Sequence, residues 1–227
     1  MSIRLIIILA CFIAISSLKS LAQNHEIIDS GLYSKSYFTL DLVSSIDIIA
    51  PRWRIGYIKH IDSDWKVGLN FGYGNSKIAY TQFLAEHYED DFVLWEIRPE
   101  LFYLLKKQKD KNNYISAELF YINHKEIFHN YYYYSKNEDE ISYDKVNYQR
   151  HKFGLNLNYG EFLSLRNKLG LNYYAGLGIK FRDVSFSEIQ NPKQSHTFID
   201  MFDFDLYRKV EGLKVGLNIS LGARLYF

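Results

Sequence analysis

The chain holds one cysteine, Cys11, in 227 residues. No internal disulfide can form, so the fold is not stapled as small secreted domains often are. It has no charge excess either. The formal net charge is +1, which gives nucleic acid nothing to bind and excludes it as a partner. Beyond the N-terminus there is no apolar run approaching the ~20 residues of a membrane helix. Proline is scarce, with three in the chain, and this leaves long segments able to pair as strands. His60, His87, His124, His129, His151 and His196 are scattered. None makes a metal-spaced pair on one strand face, so neither metal nor cofactor is expected.

What is present begins with an export signal. Arg4 gives a positive start, residues 5–15 are apolar, and Ser20-Leu21-Ala22 is a small-residue cleavage site. Residues 1–22 read as a secretory signal peptide with Gln23 as the first mature residue. Residues 23–36 are polar and read as a periplasmic leader.

From residue 37 onward the chain alternates. The clearest stretch is 213–227, where Leu213, Val215, Leu217, Ile219, Leu221, Ala223, Leu225 and Phe227 are apolar and the residues between them are polar or small. Side chains on a strand point to opposite faces in turn, so a period of two marks a strand with one greasy face. The same pattern predicts strands over 37–44, 52–61, 65–74 and 92–105, from 114 with a blurred end near 128, from 152, and over 169–181. Pro99 predicts a bulge or bend in the fourth strand. Short turns fall at 62–64, 106–113 and 166–168, while 75–91, 129–143 and 183–208 read as long connections. Strand glycines such as Gly72, Gly154, Gly176 and Gly222 all fall on the polar face. A narrow barrel needs that, because its concave side is crowded.

A closed barrel is the only strand architecture that satisfies every backbone group in lipid. With the signal peptide, the alternating strands 65–74, 169–181 and 213–227 and the terminal Phe227, the chain resembles the small bacterial outer-membrane β-barrels of the OmpA/OmpX-like architecture. The expected fold is all-β: an eight-stranded antiparallel up-and-down transmembrane β-barrel over residues 37–227. The resemblance implies a bacterial outer-membrane location, a lipid bilayer around the barrel, and Phe227 as the assembly signal read by the outer-membrane assembly machinery.

The inward face carries charge. Asp41, Arg54, Glu96, Arg98, Glu100, Glu118, Lys180, Arg182 and Arg224 form the predicted interior charge network, because enclosed charges are costly unless paired. Acid clusters near His87 and His129 are the sole catalytic candidates, and solvated loop acids account for them; no catalysis is expected. Tyr131, Tyr132, Tyr133 and Tyr134 follow His129 in a predicted polar loop. They read either as an aromatic girdle or as an adhesive surface for an extracellular protein or glycan. The expected function is therefore a structural or surface-interaction role. Two other plans fit the alternation: a soluble periplasmic lipocalin-like barrel, with the apolar face lining a cavity, and a narrow outer-membrane channel.

Overall fold

The computed structural model describes residues 36–47, 50–76, 91–108, 110–137, 139–166, 169–195 and 210–227. The signal peptide and all but the last residue of the leader lie outside the described residues, as do Glu86, His87, Glu89, Asp90, Glu138 and His196.

The elements are β1 (Tyr37–Asp41), β2 (Trp53–His60), β3 (Trp65–Asn75), β4 (Val93–Lys107), β5 (Lys111–Tyr134), β6 (Glu140–Arg166), β7 (Leu169–Gln190), β8 (Lys193–Ser195) and β9 (Gly212–Tyr226). A single 3-10 turn, Ser44–Ile46, interrupts the β1–β2 connection. Each of β1 to β6 pairs antiparallel with the next, β7 pairs with β9, and β9 returns to β1. Eight strands thus close a ring, and β8 adds a short pairing to β6 above it. The seam is brief: Thr39 faces Tyr226, Leu40 faces Leu225 and Asp41 faces Arg224. Two backbone bonds extend it, Phe38 N–H to Phe227 O and Phe227 N–H to Phe38 O, both 3.0 Å.

Alternation holds around the ring. On β3, Trp65, Val67, Leu69, Phe71 and Tyr73 point outward, and Lys66, Gly68, Asn70, Gly72 and Gly74 point inward. Leu217, outward on β9, is 79 % exposed. The glycines let inward tyrosines lie flat across a neighbouring strand: a Cβ at Gly222 would overlap the Tyr174 ring, and one at Gly170 would overlap the Tyr226 ring.

The interior is layered. At the end that carries the β2–β3 and β4–β5 turns, the start of β1 and the end of β9, Tyr37, Ile58, Phe102, Leu104, Tyr114, Phe162, Tyr174 and Tyr226 form an apolar plug. Its rings touch, as with Tyr114 and Phe162 at 4.8 Å between centroids. Charged residues fill the middle. Above them sit Ala50, Phe92, Leu94, Phe120 and Ile122.

Two sequence expectations are corrected. Residues 129–143 are not a polar loop: β5 runs to Tyr134 and β6 starts at Glu140, and Ser135 N–H closes the turn onto Asp139 O at 2.9 Å. The bulge also lies elsewhere. Ile97 faces Tyr121 and Glu100 faces Glu118 in one unshifted register, so Pro99 leaves a gap in pairing with β5 but no extra residue. The shift comes between Leu104 and Lys106.

The three long strands outgrow the ring. β5, β6 and β7 have 24, 27 and 22 residues, against 8 in β2 and 11 in β3. Their upper parts enclose Tyr133, Tyr143 and Val146, with Phe128, Ile141, Phe186 and Ile189 packed around them. The inner face changes parity on the way up. Tyr148 and Val146 face in at even positions, whereas Tyr143 and Tyr133 are buried at odd ones. The change falls at Asn130, whose φ is 50°. Asparagine tolerates this left-handed conformation better than most residues. Register is unbroken, with Phe128 facing Val146 below and Tyr131 facing Tyr143 above.

Candidate functional site

Two places gather polar chemistry: the middle layer of the ring and a cleft on the upper sheet.

In the middle layer, β1, β2, β4, β5 and β9 bring their inward charges to one height. Arg54 Nη1 lies 2.8 Å from Asp41 Oδ2, and Arg54 Nε pairs with Glu96 Oε1. Arg98 Nε meets Glu96 Oε2 at 2.9 Å and Arg98 Nη1 meets Glu118 Oε1 at 2.8 Å. Arg224 Nη2 is 3.4 Å from Glu118 Oε2, and Arg224 Nε is 3.8 Å from Asp41 Oδ2. The pairs form a closed loop: Asp41, Arg54, Glu96, Arg98, Glu118, Arg224 and back to Asp41. Two groups hang from it. Glu100 binds Arg224 Nη1 at 2.7 Å, and Arg52 Nε reaches Glu96 Oε1 at 2.7 Å. Four arginines balance four carboxylates.

The choice of arginine follows from its planar fork, which serves two carboxylates in fixed directions, whereas lysine is a single mobile charge. No side chain of the eight exceeds 10 % exposure. Such burial is tolerable because the remaining lone pairs are also met. Ser116 Oγ donates to Glu100 at 2.6 Å and Asn156 Nδ2 donates to Glu118 at 2.8 Å. Arg224 also stacks on Tyr174, 4.3 Å from the ring centroid. The arrangement links β1, β2, β4, β5 and β9 through ion pairs, adds β6 and β7 through Asn156 and Tyr174, and leaves the eight charged groups with no net charge.

Of the interior residues the sequence singled out, Asp41, Arg54, Glu96, Arg98, Glu100, Glu118 and Arg224 come together here. Lys180 and Arg182 do not join the loop. They sit higher, where Gly154 faces Lys180, Lys152 faces Arg182, and Arg182 faces Lys214. Facing inward is a matter of parity, but joining the charge loop depends on height along a tilted strand. Arg52 was missed, although its place two residues before Arg54 on the same face was the available signal. The apolar plug was missed as well: Phe102, Tyr114 and Phe162 sit at inward positions of otherwise polar faces.

The four tyrosines part company. Tyr133 stacks on Phe186 at 4.1 Å and is 4 % exposed; Tyr134 is 3 % exposed. Both are buried, and Tyr133 belongs to the small core of the upper sheet. Tyr131 is 42 % exposed and stacks on Tyr132 at 4.9 Å, with 28° between ring planes. Successive strand residues normally point to opposite faces. The stack exists because Asn130, immediately before it, breaks the pleat. With Asn191 and Lys193 from the β8 side, the pair borders a cleft of about 300 Å³.

The outer surface of the long strands has two parts. On β6, Phe153, Leu155, Leu157 and Tyr159 point outward, and above them His151, Gln149, Asn147 and Lys145 occupy the same face. On β7 the sequence passes from Ala175, Leu177, Ile179 and Phe181 to Asp183, Ser185 and Ser187. On β5 it passes from Ile115, Ala117, Leu119 and Tyr121 to Asn123 and Lys125. At the change, Tyr121 Oη and His151 Nδ1 are hydrogen-bonded at 2.7 Å, and Gln149 Nε2 contacts His151 Nε2 at 2.9 Å. Inside, Asn156, Asn158 and Glu118 lie below, and above them Tyr148, Val146 and Phe186 share the interior with the buried Arg150, His124, Glu126 and Arg182.

Among the described residues no three His, Cys, Asp or Glu side chains gather as a metal cluster. No helix among them is long and apolar enough to cross a membrane. No family model, curated protein or solved structure matches the chain.

Proposed function

We propose that the ring is embedded in the outer membrane of a bacterium and that the upper parts of β5, β6 and β7 stand outside it as a surface for interaction. The supporting observation is the reversal of polarity within single strands. On the outward faces of β5, β6 and β7 the side chains below His151 are apolar and those above it are largely polar. A strand wholly in water has no reason to change sense along its length. A strand leaving hydrocarbon for water does.

Dimensions agree. The outward apolar band on β3 runs from Trp65 to Tyr73, nine residues, close to the ~9–11 that a tilted strand needs to cross a bilayer. Aromatic pairs mark both edges, Trp65 with Tyr103 at 4.9 Å and Trp95 with Tyr121 at 5.2 Å, as amphipathic rings do at membrane interfaces. The short turns then face the periplasm, in keeping with the export signal of residues 1–22. Phe227 lies on the lipid-facing side beside Phe38, where the assembly machinery would engage it. A soluble ligand-binding barrel requires the reverse layout, with apolar side chains around a cavity.

The filled interior points to a closed barrel. The charge loop and the plug below it pack the described interior, so planar-bilayer recordings should show no steady current; a stable conductance would favour the channel reading. The membrane assignment is tested by cysteine labelling, since Cys11 is the only cysteine. Asn147→Cys in intact cells should react with a membrane-impermeant maleimide and Leu157→Cys should not. Equal labelling of both would sink the proposal.

A further inference from the structure

The cleft beside Tyr131 is built rather than incidental. Two residues at its border adopt left-handed backbone, Asn130 with φ 50° and Asn191 with φ 51°. Such conformations cost energy and persist where the surroundings hold them. One consequence is the Tyr131–Tyr132 stack, which places an aromatic plane against the cleft. Another is an amide–carboxylate pair: Asn191 Nδ2 donates to Asp144 Oδ2 at 2.6 Å. Ser142 Oγ and Lys193 are tied together as well, the hydroxyl donating to the Lys193 carbonyl at 3.2 Å. The cleft is open on one side, and Tyr131 keeps 42 % of its surface in solvent.

The chemistry of this border selects among ligands. An aromatic plane offers a flat apolar contact, and the amides, the carboxylate, the hydroxyl and the ammonium offer both donors and acceptors at its edge. A pyranose ring has the complementary form, with a face of C–H groups and a rim of hydroxyls that donate and accept. One ammonium, Lys193, is balanced by one carboxylate, Asp144, so the border carries no net charge to attract a phosphate or an acidic polymer. The volume, about 300 Å³, lies at the small end of ligand sites. It suits the end of a sugar chain and not a protein face, which needs a far larger contact.

We infer that the cleft bordered by Tyr131, Tyr132, Asp144, Asn191 and Lys193 binds the end of a neutral oligosaccharide, with a sugar ring laid against Tyr131. The inference rests on the reading that the upper sheet is in water outside the membrane. It gives the surface-interaction role a ligand class.

The test uses the full chain folded in a detergent without a sugar headgroup. The probes are three neutral oligosaccharides (a β-1,4-linked N-acetylglucosamine tetramer, maltotetraose and a mannose tetramer) and one acidic one, a galacturonate trimer. Saturation-transfer NMR should show at least one neutral probe receiving magnetisation through its ring protons. Tyr131→Ala should weaken that binding about tenfold or more, a loss of one decade in Kd. Tyr131→Phe should keep it, because the plane is retained, and Asp144→Ala should weaken it through the lost acceptor. Heated and unheated gel samples report whether the ring of each variant has folded. Three outcomes overturn the proposal: no neutral probe binds the folded parent, binding survives Tyr131→Ala, or only the acidic probe binds. A parent protein with no heat-dependent gel shift and equal cysteine labelling would instead fail the membrane reading.

Discussion

On β6, residues 153–159 and residues 145–151 belong to one unbroken strand, with one register against β5 and shifts against β7 only near the strand's two ends. Yet the lower stretch shows Phe153, Leu155, Leu157 and Tyr159 to its surroundings, and the upper shows His151, Gln149, Asn147 and Lys145. The backbone hydrogen bonds are alike in both, so forming a strand does not decide which residues stand outside. The medium decides. β-propensity reflects the fit of a side chain to its surface more than a preference of the backbone. The interiors carry the complementary difference. Below, buried charges are held by a closed loop of ion pairs; above, Tyr133, Tyr143 and Val146 form a small apolar core with Phe186 packed against it.

The largest effect should come from opening the charge loop. Arg98→Ala leaves Glu96 and Glu118 each short of a buried partner, and breaking a buried pair costs about 3–5 kcal/mol. The midpoint of heat-dependent unfolding in detergent should fall steeply, while the upper sheet gains nothing; a shift within error would mean the pairs are not coupled. Next comes Leu157→Arg, a charge on the apolar stretch, which should cost about 2–4 kcal/mol near the middle of a bilayer. The measurement is the fraction of protein recovered in the outer membrane, and normal recovery would erase the distinction between the two stretches. Smaller and more local is Tyr133→Ala. It removes a stack worth about 0.5–1.5 kcal/mol beyond burial, so protease sensitivity should rise around residues 135–139 with the ring's gel shift unchanged. The least is Asn147→Arg, the same change as at Leu157 but on the upper stretch, expected within about 0.5 kcal/mol of the parent. Comparable losses at 147 and 157 would show that one medium surrounds both.

The ring strands were legible because a single template, apolar out and polar in, repeats in all of them. Residues 65–74 and 213–227 match it at every position. The upper sheet was illegible for two physical reasons. Its polarity runs the other way, so Lys145, Asn147 and Gln149 look like loop residues to that template. Then Asn130 changes which parity faces in, so Tyr131 to Tyr134 show no period of two at all. Among the inward charges the sequence gives parity but not height, and for that reason Lys180 and Arg182 could not be separated from Arg54 and Arg98. Pro99 misled because a missing donor was read as a misfit; the strand tolerates it as a local gap in pairing with β5.

The charge loop also bears on the order of assembly. Arg224 lies on β9, the last strand, and its partner Glu100 is 124 residues earlier. Until β9 docks against β1, the middle layer holds Arg52, Arg54 and Arg98 against Asp41, Glu96, Glu100 and Glu118, an excess of one negative charge. A sheet of seven strands is thus open at its edge and unbalanced at its centre, and one event corrects both. Contacts so distant in the chain form late. Closure of the ring and neutralisation of its centre therefore depend on the same strand, β9.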